Sequence, residues 1–149
     1  MIPEFIDIGG PWKVLPPGVH IAIIIEIEIR FAITNHRKYL FSGLKKATIS
    51  LYRAGCKNIF LNGSFVTTKS IPGDYDVCWD TRGVDHSKLD PVFLNFNYNR
   101  KEQKLMYYGE FFPFHYLADR LNNFYDFFQI DKDTGKAKGI IKINLNNIK

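Results

Sequence analysis

Gly63-Ser64 and, after nine intervening residues, Asp74-Tyr75-Asp76-Val77 form the one stretch of this sequence whose residue types suit chemistry rather than packing. A Gly-Ser turn after an apolar run lets backbone N–H groups come close to a phosphate. Aspartates at i and i+2 of a strand point to the same face. Two such carboxylates can hold a divalent cation beside that phosphate, as phosphoryl transfer requires. Lys69 and Lys138 are long enough to reach the same phosphates as point charges, with a solvated surface lysine as the alternative at each position.

Two strands must position these groups. Residues 57–62 predict a short strand that delivers Gly63-Ser64, residues 65–73 a turn-rich connection, and residues 74–80 the next strand. In that strand Asp74, Asp76, Cys78 and Asp80 share one face, and Tyr75, Val77 and Trp79 face the core. Upstream, residues 35–54 predict a helix with Asn35 as N-cap and Gly55 as the stop. Leu40, Leu44, Ala47 and Leu51 mark its buried side, and Arg37, Lys38, Lys45, Lys46 and Arg53 its solvated side. Residues 19–31 carry two patterns. Their β-branched content favours a strand, which is the expectation from local propensity, whereas Ile24, Ile27 and Phe31 fit a helical stripe. Downstream, Asp90-Pro91 marks a helix start, helices are expected over 88–95 and 98–105, and 106–112 reads as a strand or strand end. The tail reads as a hairpin, with arms 125–130 and 139–145 around the turn 131–136. Residues 1–18 read as an irregular arm punctuated by proline and glycine, with Ile2, Phe5, Ile6 and Trp12 available to pack it onto the body.

A chain of 149 residues suits a single domain, 1–149, and its 46% hydrophobic content excludes a disordered one. The net charge of +5 suits an anionic partner such as a nucleotide or RNA, and equally ordinary solubility. Lys132, Lys136, Lys138 and Lys142 are the densest basic group. Cys56 and Cys78 lie in no CxxC spacing, which argues against zinc and for reduced core thiols. The four histidines are scattered. Asp131-Lys132-Asp133-Thr134-Gly135 partly matches a calcium loop but lacks its closing Glu, so a hairpin turn is expected. No apolar run approaches the ~18 residues of a membrane span. Acids and prolines in residues 1–20 argue against a signal peptide. A cytoplasmic location without a membrane partner is expected.

The order helix, strand, Gly-Ser, connection, strand with Asp-x-Asp resembles the minimal nucleotidyltransferase domain of the DNA polymerase β superfamily. That superfamily's pattern is an apolar residue, Gly, then Gly or Ser, a variable gap, and Asp-apolar-Asp/Glu-apolar. It stands here as Leu61-Asn62-Gly63-Ser64 … Asp74-Tyr75-Asp76-Val77. The longer text, Gly63-Ser64-Phe65-Val66-Thr67 … Pro72-Gly73-Asp74-Tyr75-Asp76-Val77-Cys78-Trp79-Asp80, is similar to an uncharacterised bacterial subfamily. That likeness continues through Gly109-Glu110-Phe111-Phe112-Pro113, Phe127-Phe128-Gln129 and Thr134-Gly135 … Lys138-Gly139-Ile140, and so covers the chain from about Leu15 onward. Two departures stand out: Thr68 and its neighbours replace a second glycine, and Gly73 replaces a serine before the first aspartate. The subfamily also implies a helix within residues 19–31.

The resemblance implies an α/β (α+β) fold: a small mixed sheet with helices mainly on one face and a C-terminal hairpin. It implies that Asp74 and Asp76 bind one or two Mg²⁺ ions, with Mn²⁺ as a substitute, and that Gly63 and Ser64 hold the phosphates of an NTP. A third carboxylate would complete the site as ligand or base. Glu110 is the first choice because it follows Gly109 near a predicted strand end, where the superfamily places its last acid; Asp126 and Asp80 are alternatives. The implied activity is transfer of a nucleoside monophosphate from NTP to a hydroxyl acceptor on RNA, protein or a small molecule. Two competing readings are a non-catalytic module of a toxin–antitoxin or phage-defence pair, and RNA binding through the basic tail.

Overall fold

The structure is a computed structural model that describes residues 1–147. Five strands form one mixed sheet in the order β1-β5-β2-β3-β4. They are β1 (Gly18–Ile21), β2 (Asn58–Asn62), β3 (Asp76–Trp79), β4 (Glu110–Pro113) and β5 (Gly139–Asn144). β1 runs parallel to β5 and β3 parallel to β4, while β2 is antiparallel to both of its neighbours. The helices are α1 (Ile24–Phe31), α2 (Asn35–Arg53), α3 (Asn97–Tyr107) and the single turn α4 (Phe124–Phe127). The architecture is the mixed α+β sheet expected from the sequence.

The period-2 pattern of the strands divides the interior. Ile59, Leu61, Val77, Trp79, Phe111, Ile141 and Ile143 face the main core, where Ile27, Phe31, Leu40, Leu44 and Leu51 of α1 and α2 cover them. Phe60, Cys78 and Ile140 face the other way, against Phe114, Phe124, Tyr125 and Phe128. The helices therefore lie mainly on one face. Tyr75, Val77 and Trp79 are fully buried, as expected. Cys78 is buried too, because residues 114–128 close the second face over it. Both cysteines are reduced, and burial pushes the Cys56 thiol up to about 12.

Six local expectations need correction. The strand expected over 74–80 is only Asp76–Trp79, which leaves Asp74 outside it, and the helix expected over 88–95 is a 3-10 turn, Pro91–Leu94. Residues 19–31 are not one strand. β1 ends at Ile21, and the stripe of Ile24, Ile27 and Phe31 wins beyond it, because a helix there buries Ile27 and Phe31 completely against α2. The Glu26 carboxylate supports the switch by accepting the Ile23 N–H at 2.9 Å. The α2 cap is Thr34 rather than Asn35: Thr34 Oγ1 accepts the Arg37 N–H at 3.2 Å. Arg37 is buried, not solvated. In the tail, residues 124–127 form a helical turn instead of the first hairpin arm. The turn at 131–136 is closed by the single bridge Ile130–Ala137, and the return segment becomes β5, inserted between β1 and β2. The stop of α2 is as expected. Gly55, at φ +96°, lets its own N–H reach Tyr52 O and the Cys56 N–H reach Leu51 O.

The arm before β1 is irregular but docked. Ile6 and Val14 pair as an antiparallel bridge, Ile2 and Leu15 enter the core, and Arg30 donates to the carbonyls of Ile2 and Pro3. Among the described residues, no helix is long and apolar enough to cross a membrane.

Candidate active site

Strand pairing gathers the polar residues. Asn62, Asp76 and Glu110 are register partners across β2, β3 and β4: Asn62 opposes Asp76, and Asp76 opposes Glu110. Direct partners in a ladder point to the same face, so the three side chains line one edge of the sheet. Asp74 lies just before β3, outside the ladder, at the mouth of a cleft of about 180 Å³ shared with His36, Tyr39, Lys104 and Tyr108. Gly63 ends the neighbouring strand at φ +83°, and a Cβ there would collide with Asp76 Oδ2. Only glycine fits, for conformation and space alike.

Charge in this cluster is uneven. Burial raises the Asp76 carboxyl well above its ordinary value, and the charges of Asp74 and Glu110 and a hydrogen bond with Glu110 add to the shift. Burial likewise raises Asp74, with the Glu110 charge second, while Lys104, Arg100 and Lys69 pull the other way. Burial pushes Glu110 up as well, but the hydrogen bond from Lys104 and the charge of Arg100 outweigh it, so Glu110 stays below the ordinary glutamate value. Lys104 Nζ lies 2.9 Å and Arg100 Nη2 3.4 Å from Glu110 Oε1. The hydrogen bond between Asp76 and Glu110 thus moves the two carboxyls apart, Asp76 up and Glu110 down. Adjoining carboxyls of this kind are the donor chemistry a hard divalent ion satisfies. Among the described residues, no group of three or more His, Cys, Asp or Glu side chains closes as a metal-ligand set. Asp76 and Glu110 adjoin, and Asp74 approaches from outside the ladder.

Of the residues expected to meet phosphate, Ser64 follows β2, Lys138 precedes β5 and Lys69 lies in the connection between β2 and β3. Ser64 opens the 3-10 turn Ser64–Val66, and its carbonyl accepts the Thr67 N–H and hydroxyl. Lys138 immediately precedes β5. Burial lowers its pKa, and the charges of Asp131 and Asp76 oppose that shift. Lys69 sets its ammonium 4.7 Å from the Trp12 ring centroid, and its charge reaches Asp74. The alternative third acids lie elsewhere: Asp80 is bound by Arg82 at 2.8 and 2.9 Å, and Asp126 is exposed on α4. Asp131 caps its own turn by accepting from Thr134 N–H and Oγ1.

Several contributors went unrecognised in the sequence. Arg37 donates to the carbonyls of Phe31, Phe65, Thr67 and Lys69 at 2.6–3.3 Å and so holds the Gly-Ser connection by its inner side. Nothing in its local sequence separates it from the neighbouring lysine. Arg100 and Lys104 are spaced i, i+4 on α3, a signal that they share a face. Asn62 is fully buried: its Nδ2 donates to Phe60 O, and its Oδ1 has no partner among the described residues. Its place directly before Gly63 was the available clue.

A protein-family model described as "Family of unknown function (DUF6932)" matches residues 10–144. No curated protein and no solved structure matches the chain.

Proposed function

Because the chain belongs to the DUF6932 family, a family of unknown function, we propose its activity from the site alone: a Mg²⁺-dependent nucleotidyltransferase that moves a nucleoside monophosphate from NTP to a hydroxyl acceptor. One observation carries the reading. Asp76 and Glu110 are direct partners on parallel strands, within hydrogen-bonding reach and in the field of Asp74, and Asp76 touches the glycine of the Gly-Ser connection. Asp74, Asp76 and Glu110 would hold Mg²⁺, which supplies charge neutralisation at the phosphates and acidifies the attacking hydroxyl. Ser64 and the backbone N–H groups directly after Gly63 would hold the phosphates, and Arg37 fixes that connection by donating to the carbonyls of Phe65 and Thr67. Lys138 and Lys69 bring positive charge beside Asp76 and Asp74. Glu110, held ionised by Lys104 and Arg100, is the acid poised to accept the acceptor's proton.

The test is NTP turnover with and without Mg²⁺. Asp76→Ala is expected to lower Mg²⁺-dependent turnover by about 10³-fold, the equivalent of several kcal/mol of lost charge stabilisation. Turnover that survives the substitution removes Asp76 from the mechanism. A second reading, a binding module with a silent acid site, draws on the two cations that already neutralise Glu110. It predicts no turnover of any NTP by the intact chain.

A further inference from the structure

The segment before β1 does more than cover the sheet. Residues 9–13 fold against the connection that follows Gly63-Ser64. The Lys13 N–H donates to Thr68 Oγ1 at 2.8 Å, and Lys13 O accepts the Thr68 N–H at 3.0 Å. Asp7, Gly10, Pro11, Trp12, Lys13 and Thr68 thereby line an open cleft of about 480 Å³, a size that suits a small organic ligand. Its aromatic wall is Trp12, half-buried, with the Lys69 ammonium 4.7 Å from the ring centroid. The same lysine's charge reaches Asp74, so one side chain joins the cleft to the carboxylates. A flat indole beside two lysines is chemistry that recognises a planar heteroaromatic ring carrying phosphate.

We infer that the Trp12 cleft takes the nucleoside of the NTP, with the triphosphate leading past Lys69 to Gly63 and Ser64. The inference rests on the transferase reading of the neighbouring acids and adds to it where the base sits: on the N-terminal arm, outside the sheet and its helices. The base stacks on the indole, and Lys69 exchanges its contact with the ring for the phosphates.

The two tryptophans make the test direct. Trp79 is fully buried in the core, so nucleotide-induced quenching of indole fluorescence reports on Trp12. The intact chain is titrated with each of the four NTPs and with inorganic tripolyphosphate in the presence of Mg²⁺, by fluorescence and by calorimetry. At least one NTP is expected to quench and to bind about tenfold more tightly than tripolyphosphate, a gain typical of one base–aromatic stack. Trp12→Ala should reduce NTP affinity to that of tripolyphosphate, and Trp12→Phe should retain most of the difference. Equal affinity for NTP and tripolyphosphate, unchanged in Trp12→Ala, overturns the cleft assignment and leaves the transferase reading standing. Failure of both probes to bind overturns the two together.

Discussion

Arg37 carries a full charge into the interior and meets no carboxylate there among the described residues. Its four partners are backbone carbonyls, three of them in residues 65–69. Burial lowers its pKa, yet a guanidinium starts so high that it stays charged. A planar fork can serve several carbonyls at once, whereas an ammonium is a single point. Arg37→Lys should therefore destabilise, and Arg37→Met should do so by about 3 kcal/mol or more, because buried acceptors are left without donors. Urea unfolding measures both. An Arg37→Met variant as stable as the parent would show the carbonyls finding water instead. In the sequence, Arg37 was indistinguishable from its solvated neighbours, because what buries it is the connection after β2, 28 residues away along the chain in its contact with Phe65. Gly63 was legible: a glycine before serine at a strand end announces a conformation and a close approach, and the Asp76 carboxylate fills the space where a Cβ would sit.

Among the elements, α3 is the one under local strain. Tyr98, Asn99 and Arg100 hold left-handed backbone, with φ of 51°, 56° and 61°, before the helix continues right-handed. Each such non-glycine residue costs about 1 kcal/mol. The turn places Arg100 against Glu110 and over the Phe112 ring, 5.1 Å from its centroid. Tyr98 is 86% exposed, so its side chain contributes little packing. Tyr98→Gly should stabilise the chain by up to about 1 kcal/mol and Tyr98→Ala should not, as denaturant midpoints would reveal. Equal midpoints for the two variants would mean the turn is not strained at this position. The right-handed part of this helix was readable from its charged, helix-favouring residues. Its left-handed entry was not, since Tyr98 and Arg100 have no intrinsic preference for that backbone and are held there by contacts made elsewhere. The same limit explains residues 19–31, where local propensity favoured strand and packing against α2 decided for helix beyond Ile23.

At the scale of the whole molecule, the three carboxylates make stability depend on pH. Asp76 and Asp74 have raised pKa values, so the folded chain binds more protons than the unfolded one above the ordinary aspartate range. Their contribution is present at low pH and is lost as pH rises through the raised values. Glu110, lowered, acts in the opposite sense: its contribution is present above the ordinary glutamate value and is lost as pH falls through the lowered one. In Mg²⁺-free buffer, unfolding free energy should therefore fall as pH rises above the ordinary aspartate range, and Asp76→Asn should flatten that slope. Mg²⁺ should restore more stability at the upper end, where it would offset the repulsion between the ionised Asp76 and Glu110. A slope that neither Asp76→Asn nor Mg²⁺ changes would mean Asp76 does not set it. The alternation of apolar residues by itself pointed to strands over 57–62 and 74–80, and the strand period put Tyr75, Val77 and Trp79 in the core. The second strand is shorter than that, Asp76–Trp79, so the period places Asp76 but not Asp74. Which strands would lie side by side was settled only by the fold. β5 slots between β1 and β2, and β4 runs parallel to β3, so that Glu110 arrives opposite Asp76 after a crossover through α3. Register between strands distant in the chain follows from burying one shared core, and no local pattern encodes it.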